Sequence, residues 1–227
     1  MPEKIIKALK ASPQRDGLFN PWWQVDPDHD IDSKGPAIRR RQLKQYLSER
    51  IGAAKYLLLG EAVGYQGGHF TGIAMTSERI LLGHKAGDGI LPEHVFSGIK
   101  PQRTSKPDVK CLGFNEPTAT IVWGEIIKLN YDPKEFVIWN ACPWHPYNPK
   151  KGILSNRLPD RESLETGADI LKQLIKLTGV DHLLAVGEKA YQQLSRLGFD
   201  VAKVRHPAMG GATQFREQFE KWLKNRK

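Results

Sequence analysis

Four short strand-like runs, each followed closely by glycine or polar side chains, most constrain how this chain can fold. The first three are apolar enough to be strands buried inside a sheet, and the last, 201–205, also contains Lys203 and Arg205. Segments with helical spacing of apolar residues lie between them. Strands that alternate with helices predict a parallel sheet with helices on both faces. The predicted strands are 56–60, 136–139, 183–187 and 201–205, and the predicted helices are 37–51, 76–82, 117–130, 161–178, 188–197 and 212–225.

This alternation predicts the α/β fold class. We expect a three-layer αβα sandwich around a mainly parallel, roughly four-stranded sheet. No internal repeat or domain-scale linker interrupts the pattern, so residues 1–227 are expected to form a single domain. Residues 1–35 contain several prolines and are predicted to be an irregular N-terminal extension packed on that domain. Trp22 and Trp23 are expected to pin this extension to the core.

Two charged clusters fall near the start of the chain. Residues 26–32 carry an aspartate at every second position, as a calcium-binding loop does. However, Ile31 stands where that loop requires glycine, and Ala37 where it requires glutamate. We therefore interpret the cluster as an acidic surface segment. The basic side chains of the predicted helix 37–51 lie mostly outside its apolar stripe. They would either face solvent or contact phosphate groups.

The overall charge and the cysteine content narrow the functional classes. The chain has 34 Lys and Arg residues against 25 Asp and Glu, a net charge of +9 that favours a polyanionic partner. No apolar span is long enough for a transmembrane helix, so we expect no membrane partner. Cys111 and Cys142 are too few for a disulfide framework, which fits a reducing compartment such as the cytoplasm. No histidine pair has the spacing of metal ligands, and no cofactor is expected.

Polar side chains follow three of the four predicted strands. Glu61 lies in a glycine-rich stretch after the first strand, Asn140 follows the second, and His206 follows the last. Open α/β sheets bind ligands at the carboxyl ends of their strands. The sequence therefore predicts one pocket that contains a carboxylate, a carboxamide and an imidazole.

These three groups suit the cleavage of a base from a nucleotide. A carboxylate stabilises the sugar cation that develops and orients water, as in other glycosidic hydrolyses. An imidazole or a backbone N–H stabilises the departing anionic base. A carboxamide has an N–H group that donates hydrogen bonds and a carbonyl oxygen that accepts them, so it can distinguish uracil from cytosine. Base flipping makes such a pocket accessible in DNA, and a basic surface holds the backbone.

On these residues the chain resembles the uracil-DNA glycosylase superfamily over roughly residues 55–220. It is most similar to the bacterial and archaeal branch that usually carries an iron–sulfur cluster. That branch has motifs of the form Gly-Glu-x-Pro-Gly and Gly-x-Pro-Phe, an asparagine after a central strand, Asn-Arg-x-Pro, and a late His-Pro-Ser. The matching segments here, in the same order, are Gly60-Glu61-Ala62-Val63-Gly64, Gly72-Ile73-Ala74-Met75, Asn140, Asn156-Arg157-Leu158-Pro159 and His206-Pro207-Ala208.

The resemblance implies hydrolysis of the N-glycosidic bond of uracil in single- or double-stranded DNA. The product is an abasic site for base excision repair. We expect a monomeric enzyme located in the bacterial cytoplasm near the nucleoid, and no cofactor, because the cluster ligands of the branch are missing here. Glu61 would activate water, and His206 would stabilise the departing base. The implied uracil-binding residues are Ala62, Gly64, Tyr65, Phe70, Met75 and Asn140, and the implied DNA-binding residues are Arg205, Met209 and Gly210, with Met209 as the wedge that enters the duplex.

The chain departs from the family pattern at several positions. Val63 replaces a proline, and Ala208 replaces the serine of the last motif. Met75 stands where a base-stacking phenylalanine is expected, so Phe70 or Tyr65 would have to supply the stacking face. The cluster cysteines are absent, and Trp144 falls near one of their positions. The segment that starts at Pro149, Lys150 and Lys151 is expected to fill the structural role of the cluster.

Two other functions stay open from the sequence. The first is a glycosylase of the same fold that prefers another lesion, such as hypoxanthine or a mismatched thymine. The departures at Val63 and Met75 reshape the pocket and leave room for this alternative. The second is a non-catalytic protein that binds single-stranded or damaged DNA. The presence of both Glu61 and His206 argues against that second function.

Overall fold

A computed structural model describes residues 1–13 and 15–226 of the chain. Its helices and strands are numbered here in chain order. Short 3₁₀ turns occupy Leu9–Ala11, Ala86–Asp88 and Pro133–Glu135. The remaining elements are α1 (Pro2–Ala8), β1 (Leu18–Phe19), α2 (Gly35–Ser48), β2 (Tyr56–Ala62), α3 (Gly68–Thr71), α4 (Glu78–Leu81), α5 (Pro92–Val95), α6 (Pro117–Lys128), β3 (Phe136–Cys142), β4 (His145–Pro146), α7 (Arg161–Thr178), β5 (His182–Val186), α8 (Glu188–Arg196), β6 (Ala202–Val204) and α9 (Ala212–Lys224).

The central sheet has four strands in the order β3-β2-β5-β6, and every neighbouring pair is parallel. Helices pack on this sheet, with α7 against β3, α8 against β5 and α9 against β6. The predicted α/β sandwich around a parallel sheet is thus confirmed. A separate antiparallel pair joins β1 to β4 and holds the N-terminal segment beside the loop after β3.

The two central strands explain why their sequences are almost wholly apolar. All seven residues of β3 and the first five of β2 are buried. Strands of a parallel sheet are covered on both faces, so they lack the alternation of a half-exposed strand. Both strands continue beyond their predicted ends, to Ala62 and Cys142. Glu61 and Asn140 therefore lie in the last residues of strands, where the backbone ladder holds them.

The N-terminal extension is more regular than the sequence suggested. Residues Pro2–Ala8 form a helix that packs against α2 and α7. A proline in the first helical turn is compatible with a helix, because that N–H needs no partner. Trp22 is buried as predicted, and its Nε1 donates to the carbonyl of Gly72 at 3.2 Å. Trp23 is partly exposed and lies under the guanidinium of Arg40.

The acidic segment 26–32 is not wholly a surface feature, which corrects the prediction. Asp26 and Asp30 are both buried. Asp30 pairs with Arg39 of α2, with Nη1–Oδ1 and Nη2–Oδ2 distances of 2.6 and 3.0 Å. The Arg39 side chain is fully buried as well, so it is unavailable for phosphate contact. A bidentate pair of this kind ties the start of the chain to α2.

Asp26 anchors a second buried network. Its carboxylate contacts Nε2 of His69 at 3.0 Å and Nδ1 of His29 at 2.9 Å. Burial by itself raises the pKa of Asp26, but the hydrogen bonds from these two histidines outweigh it and hold the pKa at about 2. His69 in turn contacts His145, with 2.9 Å between their Nδ1 atoms. This chain of contacts fixes the glycine-rich stretch to both the N-terminal segment and β4.

The long connection 83–110 is held in place by one buried carboxylate. Glu78 accepts hydrogen bonds from the backbone N–H groups of Thr104 and Ser105, at 2.9 and 3.0 Å, and from the Ser105 hydroxyl. It also accepts from the N–H of Phe114 at 3.3 Å. The sequence predicts neither helix nor strand here, and most of the segment is irregular, with a 3₁₀ turn at Ala86–Asp88 and a helical turn at Pro92–Val95. In the described part of the chain, no helix is long and apolar enough to cross a membrane.

The Asp30–Arg39 pair makes a prediction about stability. Asp30→Asn leaves the buried Arg39 guanidinium without its counter-charge, which costs about 3–5 kcal/mol. We expect the free energy of unfolding in urea to fall by that amount. Asp28→Asn, at an exposed position of the same segment, is the matched control and should change it by less than about 0.5 kcal/mol. Equal effects of the two variants would contradict a structural role for the pair.

Candidate active site

A cavity of about 490 Å³ opens at the carboxyl ends of the parallel strands. The ends of β2 and β3 and the loops after β2 and β6 contribute to it, together with the start of α6 and the segment before α7. Glu61, Asn140 and His206 all line it, as the sequence predicted. The complete lining is Gly60, Glu61, Ala62, Val63, Gly64, Gln66, Met75, Glu116, Pro117, Thr118, Ile121, Asn140, Asn156, Arg157, His206, Pro207, Ala208 and Met209.

Glu61 is half-buried at the end of β2. Burial raises the pKa of its carboxyl group, and the charge of Lys189 partly offsets that effect. No side chain in the described part of the chain donates a hydrogen bond to this carboxylate. Glu61 also borders a smaller hollow of about 260 Å³ that contains Lys189 and Arg196. The carboxylate therefore faces open space on both sides and is available to a water molecule or a substrate.

His206 follows β6 and has a defined tautomer. Its Nδ1 accepts a hydrogen bond from the N–H of Ala208 at 3.1 Å, which leaves the proton of the neutral ring on Nε2. Burial and the neighbouring Arg205 lower the pKa of the imidazole, so the ring is neutral at pH 7. Gly187 makes room for it, since a Cβ there would lie 3.2 Å from the Cβ of His206. The site thus presents an imidazole N–H donor that carries no full charge.

Asn140 is buried and lies directly opposite Gly60 in the β2–β3 register. In the amide orientation that satisfies both partners, its nitrogen donates to the carbonyl of Trp139 and its oxygen accepts from the N–H of Val63, each at 3.3 Å. An amide has two donor hydrogens and two lone pairs, so one donor and one acceptor remain. Asn140 therefore orients the loop and can still contact a ligand.

The stacking aromatic that the sequence called for is absent from this cavity. Phe70 lies in α3, which is wholly buried, and its ring stacks on Phe114 with centroids 4.3 Å apart. Tyr65 lines a neighbouring hollow and meets Phe114 edge-on. Neither residue lines this cavity. Met75 lines the cavity instead, with a φ of 43° and its carbonyl bonded to Nε1 of Trp123 at 3.1 Å.

The loop after β6 projects into solvent. Met209 is 94% exposed and has a φ of 54°, and Gly210 has a φ of 75°. An exposed apolar side chain on a left-handed turn at the cavity mouth has the form expected of a wedge. Arg205 is exposed but faces a separate hollow beside β6. Of the remaining predicted residues, Ala62 and Gly64 both line the main cavity.

Sequence reasoning missed Glu116. The sequence places it only just before the helix predicted over 117–130, whereas its side chain lines the cavity. Burial raises the pKa of its carboxyl group to about 7. The only signal in the sequence was an acidic residue at the start of a helix, which is common at helix caps. Its proximity to the glycine-rich loop is a long-range contact that no local pattern specifies.

The residues of this chain do not fit an iron–sulfur cluster. Cys111 is exposed and Cys142 is buried. Across residues 1–13 and 15–226, no group of three or more His, Cys, Asp or Glu side chains could hold a metal ion. Trp144, near an expected cysteine position, is buried and donates from Nε1 to the carbonyl of Leu9 at 2.9 Å. Lys150 and Lys151 are exposed, and the structural role expected for their segment remains a prediction.

The fold and the cavity define an α/β protein with a carboxylate and a neutral imidazole at the carboxyl ends of parallel strands. A family model described as the uracil DNA glycosylase superfamily matches residues 51–225. The chain therefore belongs to that superfamily and is a DNA glycosylase, with DNA as its substrate. Among solved structures, it is similar to SMUG2 of Pedobacter heparinus, with 16% identity and a TM-score of 0.60 over 98% of this chain and 96% of that one. No curated protein matches the sequence.

The register of the two central strands leads to a testable prediction. A Cβ at Gly60 would lie 2.7 Å from the side-chain amide group of Asn140 and 3.2 Å from Cε of Met75. Gly60→Ala should therefore displace two walls of the cavity and slow single-turnover base release at least about tenfold. Gly87→Ala, where a Cβ would meet nothing within 4 Å, is the control. An unchanged rate in Gly60→Ala would mean that Asn140 and Met75 do not contact the base.

Proposed function

We propose that this protein is a monofunctional uracil-DNA glycosylase. It hydrolyses the N-glycosidic bond of a uracil flipped out of DNA and leaves an abasic site for base excision repair. The observation that carries the proposal is the meeting of Glu61, Asn140 and His206 in one cavity at three strand ends. Among the described residues that line this cavity there is no lysine, which supports hydrolysis by water rather than through an amine nucleophile.

Glu61 has the environment that the sugar side of this reaction needs. The transition state of glycosidic hydrolysis gives the sugar oxocarbenium character. A half-buried carboxylate without a protein donor can stabilise that positive charge and orient water on the face away from the base. Because the site is partly desolvated, the electrostatic effect is larger than in bulk water.

His206 suits the base side of the reaction. As the bond breaks, negative charge collects on the base and its carbonyl oxygens. The Nε2–H of a neutral imidazole can donate a hydrogen bond to that developing anion, in the manner of an oxyanion hole. The bond from Ala208 to Nδ1 holds the ring in the required tautomer. The Glu61 carboxylate and the His206 imidazole therefore stabilise opposite charges in one transition state.

Asn140 supports the choice of uracil. Its remaining donor and acceptor match the adjacent carbonyl and N–H of uracil, whereas cytosine reverses that pattern. A mismatch would leave buried polar groups unpaired, which costs about 1–3 kcal/mol per group. Met75 and Ile121 supply an apolar wall for the ring in place of an aromatic face. A methionine side chain adapts to bases of different outline.

The surface around the cavity suits a DNA strand. Lys189 and Arg196 border the hollow next to Glu61, and Arg157 lies on the cavity wall. These basic side chains would hold phosphates on either side of the flipped nucleotide. Met209 on its exposed turn would fill the gap left in the duplex, and Gly210 would allow the turn. Arg205 would add a phosphate contact at the edge of this surface.

One observation favours a second candidate, a glycosylase of the same fold with another preferred lesion. The cavity is larger than a single pyrimidine requires, and its apolar wall is methionine rather than phenylalanine. Hypoxanthine shows the same adjacent carbonyl and N–H that Asn140 would contact in uracil. The monomeric state and cytoplasmic location expected from the resemblance remain predictions.

A substrate panel tests the proposed function. Oligonucleotides with uracil, hypoxanthine, xanthine or a thymine mismatch, in single and double strands, are incubated with the protein, and the free base is quantified. We expect release of uracil, and no loss of activity when a chelator is added. Release of hypoxanthine alone would establish the second candidate. Salt-dependent DNA binding with no base released from any substrate would overturn both.

The charge of the Glu61 side chain can be tested separately from DNA binding. Glu61→Gln keeps the size of the side chain but removes the charge, so the single-turnover rate should fall at least about 100-fold. The Kd for DNA, measured by fluorescence anisotropy, should change by less than about threefold. Glu217→Gln, at an exposed position of α9, serves as the control. Equal losses in rate and affinity would assign Glu61 a structural role instead.

A further inference from the structure

Glu116 is the N-cap residue of α6, but its side chain does not cap that helix. No hydrogen bond joins its carboxylate to the first turn of α6. An N-cap carboxylate ordinarily accepts from the second or third N–H of its helix. Here the side chain lines the cavity that also contains Glu61, Asn140 and His206. This orientation gives up a capping bond and brings a second carboxyl group into the site.

The carboxyl group of Glu116 lacks a protein partner. Its Oε2 atom is buried, and nothing in the described part of the chain donates to it. The side-chain oxygens of Asn115 and Thr120, at the same end of α6, are buried without a hydrogen-bond partner as well. A buried polar group left unpaired costs about 1–3 kcal/mol. Such groups are rare in native proteins, and a catalytic or ligand-binding role is one reason that they persist.

The glycine-rich loop leaves space for this carboxyl group. A Cβ at Gly67 would overlap Oε2 of Glu116, and a Cβ at Gly64 would lie 4.0 Å from Oε1. Asn140 meets the same loop at its other end, beside Gly60. The loop therefore runs between two side chains that can both donate and accept hydrogen bonds, one at each end.

The protonation of Glu116 depends on burial alone. Burial raises the pKa of its carboxyl group to about 7, and no neighbouring charge contributes to that shift. Near neutral pH a large fraction of the group is therefore uncharged, and in that form it has an O–H donor as well as an acceptor. The titratable or charged side chains on the other walls are Glu61, Arg157 and His206, and the adjoining hollow beyond Gln66 and Pro117 contains Tyr65, Arg79 and Lys110.

We propose that Glu116 is a second base-reading residue, whose neutral carboxyl group donates a hydrogen bond to an acceptor atom of the flipped base. This inference rests on the proposed function, because it requires a base in this cavity. Asn140 would contact one edge of the base and Glu116 another. The volume of about 490 Å³ leaves room for a base with acceptor atoms on two edges. Uracil and hypoxanthine both qualify, and the experiment distinguishes them.

The pH dependence of base release tests this role. In the wild type, loss of the Glu116 proton removes the donor, so the single-turnover rate should fall by about tenfold per pH unit above a midpoint at or above pH 7. Glu116→Gln keeps a donor and an acceptor at every pH. Its rate should therefore stay level from pH 7 to 9. Glu116→Ala should lose about tenfold already at pH 6.5.

A control variant and one contrary outcome complete the test of Glu116. Glu93→Gln, at an exposed position of α5, should reproduce the wild-type profile. If Glu116→Gln shows the same decline at high pH as the wild type, Glu116 does not read the base. Rates are compared separately for uracil and hypoxanthine, and the base whose profile changes is the one that Glu116 contacts. Thermal melting of each variant verifies that it is folded.

A second readout does not depend on catalysis. The carboxyl resonance of Glu116 is titrated by ¹³C NMR with the full chain bound to an oligonucleotide that carries 2′-fluorinated deoxyuridine or deoxyinosine, both resistant to hydrolysis. A hydrogen bond to the base should raise the pKa of Glu116 relative to the complex with an abasic analogue. An equal pKa in all three complexes would overturn the inference. If no base is released but the pKa rises, the proposed function fails and the role of Glu116 stands.

Discussion

The site depends on the contact between Gly60 and Asn140 across the two central strands. Parallel pairing of β2 with β3 places these residues side by side, and the missing Cβ of Gly60 lets the amide of Asn140 lie over the backbone. From there the amide bonds to the N–H of Val63 and fixes the direction in which the loop leaves the sheet. Any larger residue at position 60 would push Asn140 and Met75 out of place. The strand register thus sets the geometry of the cavity.

Burial shifts the pKa values of three titratable groups of this cavity, upward for two and downward for one. It raises the pKa of the carboxyl groups of Glu61 and Glu116, and it lowers the pKa of the His206 imidazole. Desolvation disfavours the charged form of any group, so it favours the uncharged forms of both carboxyl groups and of the imidazole. Lys189 opposes this effect at Glu61 only. Under the proposed function, burial favours uncharged donors for the base, whereas Lys189 favours the carboxylate form of Glu61 that the sugar cation needs.

Buried polar contacts connect the loop after β3 to the N-terminal segment and to the glycine-rich stretch. Trp144 bonds to the N-terminal segment, and His145 forms a chain of contacts with His69 and Asp26. Burial and the adjacent His69 lower the pKa of His145 to about 3. These contacts fix the loop after β3 to the N-terminal segment.

Local patterns were sufficient for the sheet and for the three strand-end residues. Buried parallel strands are short apolar runs, and their ends are the places where Glu61, Asn140 and His206 must lie. The tertiary structure alone decided which charges are buried. It paired Asp30 with Arg39, and it enclosed Glu116 beside glycines far away in the chain. The reason is physical: apolar periodicity is encoded within a few residues, whereas the solvation and partners of a side chain depend on segments that meet only after folding.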